Sequence, residues 1–395
     1  MRRVEVLIVG GGPAGSTLAR SLGQGGLEVA LMDRALFPRD KVCAGWITPA
    51  VVQELELNPS DYADGRILQP ITGFRIGMLG DTVVDTDHGG EVVSYGIRRR
   101  EFDHYLLQRA EEAGAVLWQQ EGFRDARPEG EGWLVNGEIH CRLLIGAGGH
   151  FCPVARLLAR NAGERDGAVV AAQEIEFALS PEQAAGCAVD PLRPELYFSP
   201  DLAGYGWVFR KGDWLNIGLG REDRHGLSGH LRDLVRTLQS RGRIPDQIPD
   251  RFHGHAYLLY PHARRPLTGR RALLIGDAAG LAYPQSGEGI RPAVESALLA
   301  AETIVAAAGD YGETALAPYG ERMVERFGRR RPGPGWLERL PAGIKRSLAR
   351  RLMHQPWFAR RIIAERWFLH RQQAPLAAVL PGKPPVGREG DGDPA

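Results

Sequence analysis

The sequence predicts an α/β fold: a discontinuous domain of parallel strands and helices receives an inserted, mostly antiparallel β domain, and a helical segment follows. Three observations predict it. A strand–helix–strand pattern opens the chain, and buried strands of the same kind return near residue 145 and beyond residue 270. Short alternating strands interrupt this pattern twice. At 395 residues the chain can bury a large core, and two packed domains are the natural division. The expected boundaries are 1–70, 96–167 and 258–328 for the α/β domain, and 71–95 and 168–257 for the inserted one. A basic helical segment over 329–372 and a disordered tail over 373–395 complete the expectation.

The first forty residues organise the rest. Val4–Val9 is a short apolar run broken only by Glu5, which reads as a buried strand. It runs into Gly10-Gly11-Gly12-Pro13-Ala14-Gly15 and then into the helical stretch Ser16–Leu22. A second apolar run, Leu27–Met32, ends at Asp33. This is a Rossmann-type dinucleotide fingerprint in its required context. Gly10 permits the tight turn, Gly12 lets the backbone approach a pyrophosphate, and Gly15 lets the helix pack closely on the strand. The helix start offers free N–H groups and a positive dipole end to the phosphates. Asp33 is placed to accept hydrogen bonds from an adenosine ribose.

Further along, Arg34–Ile47 is dense in Pro and Gly and reads as a loop. Thr48-Pro49-Ala50 then opens a helix through Leu57, with Thr48 as N-cap. Ile71–Leu79 and Thr82–Asp85 read as strands joined by a turn at Gly80-Asp81. Arg99–Gly114 is an amphipathic helix with Phe102, Tyr105, Leu106 and Ala110 on one face. Val116–Arg127 and Trp133–Ile139 read as strands, and Leu143-Leu144-Ile145 as a buried strand ending at Gly146-Ala147-Gly148-Gly149. The stretch 168–220 is strand-rich, His230–Arg241 is a helix, Ala272–Ile275 is a buried strand, and Glu288–Ala308 is a long helix.

Composition excludes several classes. The net charge of +1 selects no nucleic acid. Cys43, Cys141, Cys152 and Cys187 are widely spaced, which fits neither a disulfide framework nor a zinc site and suits a reducing compartment. His253-Gly254-His255 could place two imidazoles on one strand face, but no third ligand has suitable spacing, so no metal is expected. No signal peptide and no spanning segment are read, so the expected location is cytoplasmic.

Three separated segments resemble the flavoprotein superfamily that includes aromatic hydroxylases, flavin halogenases, lycopene cyclases and geranylgeranyl reductases. The first is the N-terminal fingerprint, whose Gly10, Gly12, Pro13, Ala14, Gly15, Asp33 and Arg34 the resemblance makes cofactor-binding residues. The third is Gly276-Asp277-Ala278-Ala279-Gly280 followed by Pro284-Gln285-Ser286-Gly287-Glu288-Gly289-Ile290. There Asp277 matches the aspartate that binds the ribityl chain, while Gly287, Gly289 and Ile290 would lie beside the flavin pyrimidine edge. The middle segment, Gly146–Arg156, departs from the pattern because Gly148 stands where an aspartate is expected. Arg99 matches a cofactor-contacting arginine. The implied cofactor is FAD, held non-covalently. The electron donor is left open, with NAD(P)H as the candidate class.

Two features resemble the geranylgeranyl-reductase branch. Lys41-Val42-Cys43-Ala44-Gly45 is similar to its Lys-x-Cys-Gly-Gly loop, with Ala44 for the first glycine. Tyr205-Gly206-Trp207-Val208-Phe209 is similar to its Tyr-x-Trp-x-Phe-Pro substrate strand, with Arg210 for the closing proline. Lys41, Cys43, Ala44 and Gly45 would then face the flavin, and Tyr205, Trp207 and Phe209 an apolar small-molecule or lipid substrate. Cys43 reads either as an active-site thiol that donates a proton or as a small packing residue; Tyr205 and Trp207 read either as a substrate wall or as sheet core.

From Arg329 to Arg371 basic residues crowd, interleaved with Trp336, Leu340, Ile344, Leu348, Leu352, Trp357, Phe358, Ile362, Ile363, Trp367 and Phe368. Such a segment fits a peripheral contact with an anionic membrane surface, or equally a cap on the substrate domain. The functional expectation is an FAD-dependent oxidoreductase that reduces carbon–carbon double bonds of an isoprenoid or similar apolar substrate. A monooxygenase on the same fold is the alternative, and a redox-inactive FAD protein that binds membrane or a partner is the third reading.

Overall fold

The computed structural model describes residues 1–159, 167, 169–223, 226–330 and 341–376. An eight-stranded sheet forms the first half. Its order runs Thr268–Gly269, Ala272–Leu274, Ile139–Gly146, Arg2–Val9, Val29–Asp33, Val116–Gln119, and the hairpin Ala126–Glu129/Gly132–Val135 pairs onto Ile139–Gly146. The central pairs are parallel, with Val6 opposite Leu143 on one side and Val29 on the other. Val6, Leu7, Ile8 and Val9 are all buried, so this strand is covered on both faces. That is why it reads as an unbroken apolar run and not as an alternating one.

The first helix, Pro13–Gln24, follows directly from the central strand and packs on the long helix Ile290–Ala306 and on Arg99–Glu112. Small residues permit the approach. A Cβ at Gly15 would run into the Gly10 carbonyl, and the long helix buries Ala293, Ala297, Ala300 and Ala301. Parallel strands that feed helices this way leave their carboxyl ends and the helix N-termini on one edge, which is where the site lies.

A seven-stranded sheet forms the second half, in the order His253–Leu258, Val169–Ala178, Trp214–Arg221, Gly204–Lys211, Glu195–Phe198, Gly73–Met78, Val83–Asp87. All its pairs are antiparallel except Glu195–Phe198 with Gly73–Met78. One face is covered by the helix Leu227–Ser240 through Leu227, Leu231, Leu234 and Leu238. The other carries Phe74, Phe198, Trp207 and Phe209, packed with Trp46. Trp207 lies opposite Gly218, where any Cβ would run into the indole ring. A small sheet of Trp46–Ile47, Leu68–Ile71 and Ser94–Ile97 joins the halves.

The C-terminal segment consists of a helix at Ala342–Met353, a turn of helix at Pro356–Phe358 and a π-helical stretch at Ala359–Phe368. Met353, Ala359, Ile363, Ala364, Phe368 and Leu369 are buried against the second sheet. This half caps the inserted domain. Ile344, Leu348 and Trp357 are exposed.

Several local expectations shift. Thr48 sits at the N-cap in an extended conformation, but its side chain makes no capping bond and the helix stops at Glu54. The run Val116–Arg127 is broken, because Val116–Gln119 and Ala126–Glu129 are separate strands in different pairings. The long helix starts at Ile290, after a loop rich in glycine. Residues 373–376, expected in the disordered tail, are docked: Arg291 donates to Gln373 O at 2.8 Å, and Leu376 N donates to Glu54 Oε1 at 3.1 Å. Trp336, Leu340 and the stretch 377–395 lie outside the described residues.

Candidate active site

A cavity of about 390 Å³ lies between the two sheets. It is built first from the start of the Pro13–Gln24 helix. Gly12 is the N-cap, no side chain caps it, and the first turn carries no acidic residue. The first N–H groups of a helix have no partner within it. Gly12 adds no side chain in front of them, and a Cβ there would find only Arg39 Nη2 at 3.8 Å. Gly10 is at φ +118°, and a Cβ on it would come 2.5 Å from Ala147 O. Asp33 is fixed by two backbone donors, Gly11 N and Ala35 N, each at 2.8 Å. A carboxylate has about four acceptor positions, so capacity for ribose hydroxyls remains. Gly10, Gly12, Pro13, Ala14, Asp33, Arg34 and Gly148 all line the cavity; Gly15 lies behind it as a packing residue.

The opposite end is made by the third segment. Asp277 lines the cavity, and Gly289 caps the long helix without a side chain. A Cβ at Gly289 would come 3.1 Å from Asp277 Oδ1. Gly287 and Ile290 also line the cavity, whereas Gly276 is buried beneath Ala14 and Ala293. His255 Nε2 lies 3.8 Å from Asp277 Oδ2 and 3.1 Å from Lys41 Nζ. Burial pushes the Asp277 carboxyl up, but His255, Lys41 and Arg99 outweigh it and hold the group below the usual carboxylate range. Burial, then Arg99, lowers the Lys41 ammonium to about 8. These donors fit a dinucleotide: two uncapped helix starts and a compact cluster of cations face the same space.

The loop 41–45 closes one wall. Cys43 is half-buried, and its Sγ accepts from Gly45 N at 3.4 Å. Ala44 lines the cavity beside it, and Gly45 is at φ +68°, a conformation that favours glycine. Arg99 is buried and forked onto Asp103 at 2.7 and 2.8 Å, with Arg39 on the same carboxylate at 3.1 Å. Its guanidinium is held above its ordinary value: burial opposes, but Asp103 and Cys43 outweigh it. Arg99 is therefore no solvated charge.

The remaining wall is aromatic. Tyr205 and Trp207 line the cavity with ring centroids 6.0 Å apart, and Tyr205 donates to Ser286 O. Phe209 does not join them. It is buried in the core, 5.8 Å from the Trp46 ring. Sequence reasoning missed Arg39, Trp46, Tyr257 and the buried pair Glu174 and Asn216. Arg39 and Trp46 flank the 41–45 loop directly, whereas strand register and tertiary packing bring Tyr257, Glu174 and Asn216.

Comparison with known proteins gives the family. Residues 3–179 match the model of an FAD binding domain. The chain is 32% identical over 352 residues to the chloroplastic geranylgeranyl diphosphate reductase of Oryza sativa subsp. japonica, covering 84% of this chain and 70% of the relative. The chain belongs to the geranylgeranyl-reductase family. It is also 31% identical over 319 residues to the menaquinone reductase of Mycobacterium tuberculosis, covering 76% of each. The fold is shared with the solved structure of a geranylgeranyl bacteriochlorophyll reductase-like protein from Thermoplasma acidophilum, at TM-score 0.73 and 22% identity, over 94% of this chain and 99% of that one.

Proposed function

We propose that this member of the geranylgeranyl-reductase family binds FAD non-covalently and reduces carbon–carbon double bonds of an isoprenoid or similar apolar substrate. The observation that carries the reading is convergence: the dinucleotide cradle of Gly12, Asp33 and Asp277 opens onto the same cavity as Cys43, Tyr205 and Trp207. Reduced FAD supplies hydride when bound. The protein's residues supply the rest. Tyr205 and Trp207 exclude water and orient an apolar chain. The Cys43 thiol holds the proton for the second carbon at its Sγ. NAD(P)H is the proposed donor class. The exposed Ile344, Leu348 and Trp357, beside Arg346, Arg351 and Arg361, make an anionic membrane surface the proposed source of so apolar a substrate.

The test is anaerobic. Dithionite-reduced holoprotein is mixed with geranylgeranyl diphosphate or an isoprenoid quinone. Flavin reoxidation, with a product that has gained two hydrogens at a double bond of the isoprenoid chain and not on the quinone ring, supports the reading. Turnover that needs O₂ and yields an oxygenated product makes the protein a monooxygenase instead.

A further inference from the structure

The loop that carries Cys43 follows the nucleotide-binding strands in sequence, yet its backbone is held by the other sheet. Cys43 N donates to Glu174 Oε1 at 2.5 Å. Cys43 O accepts from Asn216 Nδ2 at 3.2 Å. Both partners are nearly or fully buried and face the loop from adjacent antiparallel strands, where Asn216 lies opposite Glu176 and Glu174 two residues away. Asn216 Nδ2 also reaches Glu174 Oε2 at 3.3 Å, so the two form one unit. Trp207 Nε1, a donor only, gives its proton to Asn216 Oδ1 at 2.8 Å, and this fixes which way the amide points. One asparagine therefore holds the carbonyl of Cys43 and the indole of the aromatic wall.

We propose that Glu174 and Asn216 are positioning residues that hold the Cys43 thiol at the cavity and couple its placement to the Trp207 side of the substrate wall. The proposal rests on the reading of Cys43 as a residue that acts on substrate. Burying a carboxylate and an amide here is costly unless every polar atom is used. The unit uses them on the loop that carries the thiol, on Trp207 and on each other. Gly218 makes room for it, since a Cβ there would run into Trp207 and come 2.9 Å from Glu174 Cβ.

The test uses FAD-loaded full-length protein and the variants Glu174→Ala, Glu174→Gln and Asn216→Ala, each checked for bound flavin and melting temperature. Cys141, Cys152 and Cys187 are buried, so alkylation of the native protein by iodoacetamide reports Cys43. Glu174→Ala and Asn216→Ala should change that alkylation rate severalfold. Glu174→Gln, which keeps the acceptor for Cys43 N but sets its amide nitrogen against Asn216 Nδ2, should restore it in part. In turnover, Glu174→Ala should lower kcat by roughly tenfold at unchanged KM, about what one lost buried hydrogen bond is worth in rate. Asn216→Ala should also raise KM, because it frees Trp207. Wild-type alkylation rates in every variant that still holds FAD would overturn the proposal. An altered alkylation rate with unchanged kcat would keep the clamp and sink the catalytic reading of Cys43 instead, so the two failures are distinguishable.

Discussion

Asp33 is held in place by the backbone alone. Its two oxygens accept from Gly11 N and Ala35 N at 2.8 Å, so the carboxylate sits in one orientation at the end of its strand. Preorganisation of this kind lowers the entropy cost of binding. Asp33→Ala should therefore weaken FAD by roughly 1–3 kcal/mol, the range for removing a partner of buried polar groups. Flavin fluorescence titration checks this, and unchanged affinity would remove Asp33 from the ribose site. Cys43→Ser should retain FAD but slow substrate-dependent reoxidation, because a thiol releases its proton more readily than an alcohol. Wild-type rates in both Cys43→Ser and Cys43→Ala would make Cys43 a packing residue. At this scale the glycine turn, the close helix approach and the fixed carboxylate were legible, because Gly10, Gly12, Gly15 and Asp33 each answer a local geometric demand. Glu174 and Asn216 were not. Their partners on the 41–45 loop are far away in sequence, and no local pattern announces a buried carboxylate that serves another loop.

Elements carry a different lesson. Alternation along Gly204–Lys211 correctly puts Tyr205, Trp207 and Phe209 on one face of the strand. Yet a strand advances about 3.3 Å per residue, so Phe209 lies about 13 Å from Tyr205. The face outruns the cavity, and its far end becomes core against Trp46. Periodicity gives the face but not where the cavity stops. The C-terminal segment shows the same limit. Its helical spacing identified an apolar stripe, and part of that stripe meets protein: Phe368 is fully buried, 5.5 Å from the Trp46 ring and 5.4 Å from Tyr205. Phe368→Ala should cost about 3–5 kcal/mol of stability, the usual cost of a buried aromatic truncated in a core, measurable by denaturant unfolding. It should also raise KM, because Tyr205 loses its backing. Trp357 is exposed, so Trp357→Ala should leave the melting temperature within about a degree or two, as surface substitutions do. The same change should reduce binding to anionic vesicles at every salt concentration, while Arg351→Gln with Arg361→Gln should flatten the salt dependence. Equal vesicle binding by wild type and both variants would leave this segment as a cap alone.

Across the whole molecule, the chain's last described residues close a buried ionic cluster. Arg291 bonds Glu295 at 2.8 Å and lies 3.8 Å from Glu54, which accepts from Leu376 N. Burial, followed by repulsion from Glu295, pushes the Glu54 carboxyl up to about 8. A carboxyl whose folded value is raised contributes stability that is present below its unfolded value. That contribution is lost as pH rises through about 8. Glu54→Gln keeps the acceptor for Leu376 N without the charge. The melting temperature of the variant relative to wild type should therefore rise between about pH 5 and pH 9. A difference that stays flat over that range would show that Glu54 does not titrate there.

The parallel pairing of Gly73–Met78 with Glu195–Phe198 has a consequence for synthesis. The strand at 73–78 leaves the ribosome long before its partner exists, and the nucleotide sheet receives Ala272–Leu274 only after the second sheet has its last strand, His253–Leu258. Neither sheet is complete from a contiguous stretch of message. A nascent chain arrested before residue 270 should therefore leave the first sheet without Ala272–Leu274 and be more open to protease there than one released past the long helix. The first sheet would then be the later of the two to close during synthesis.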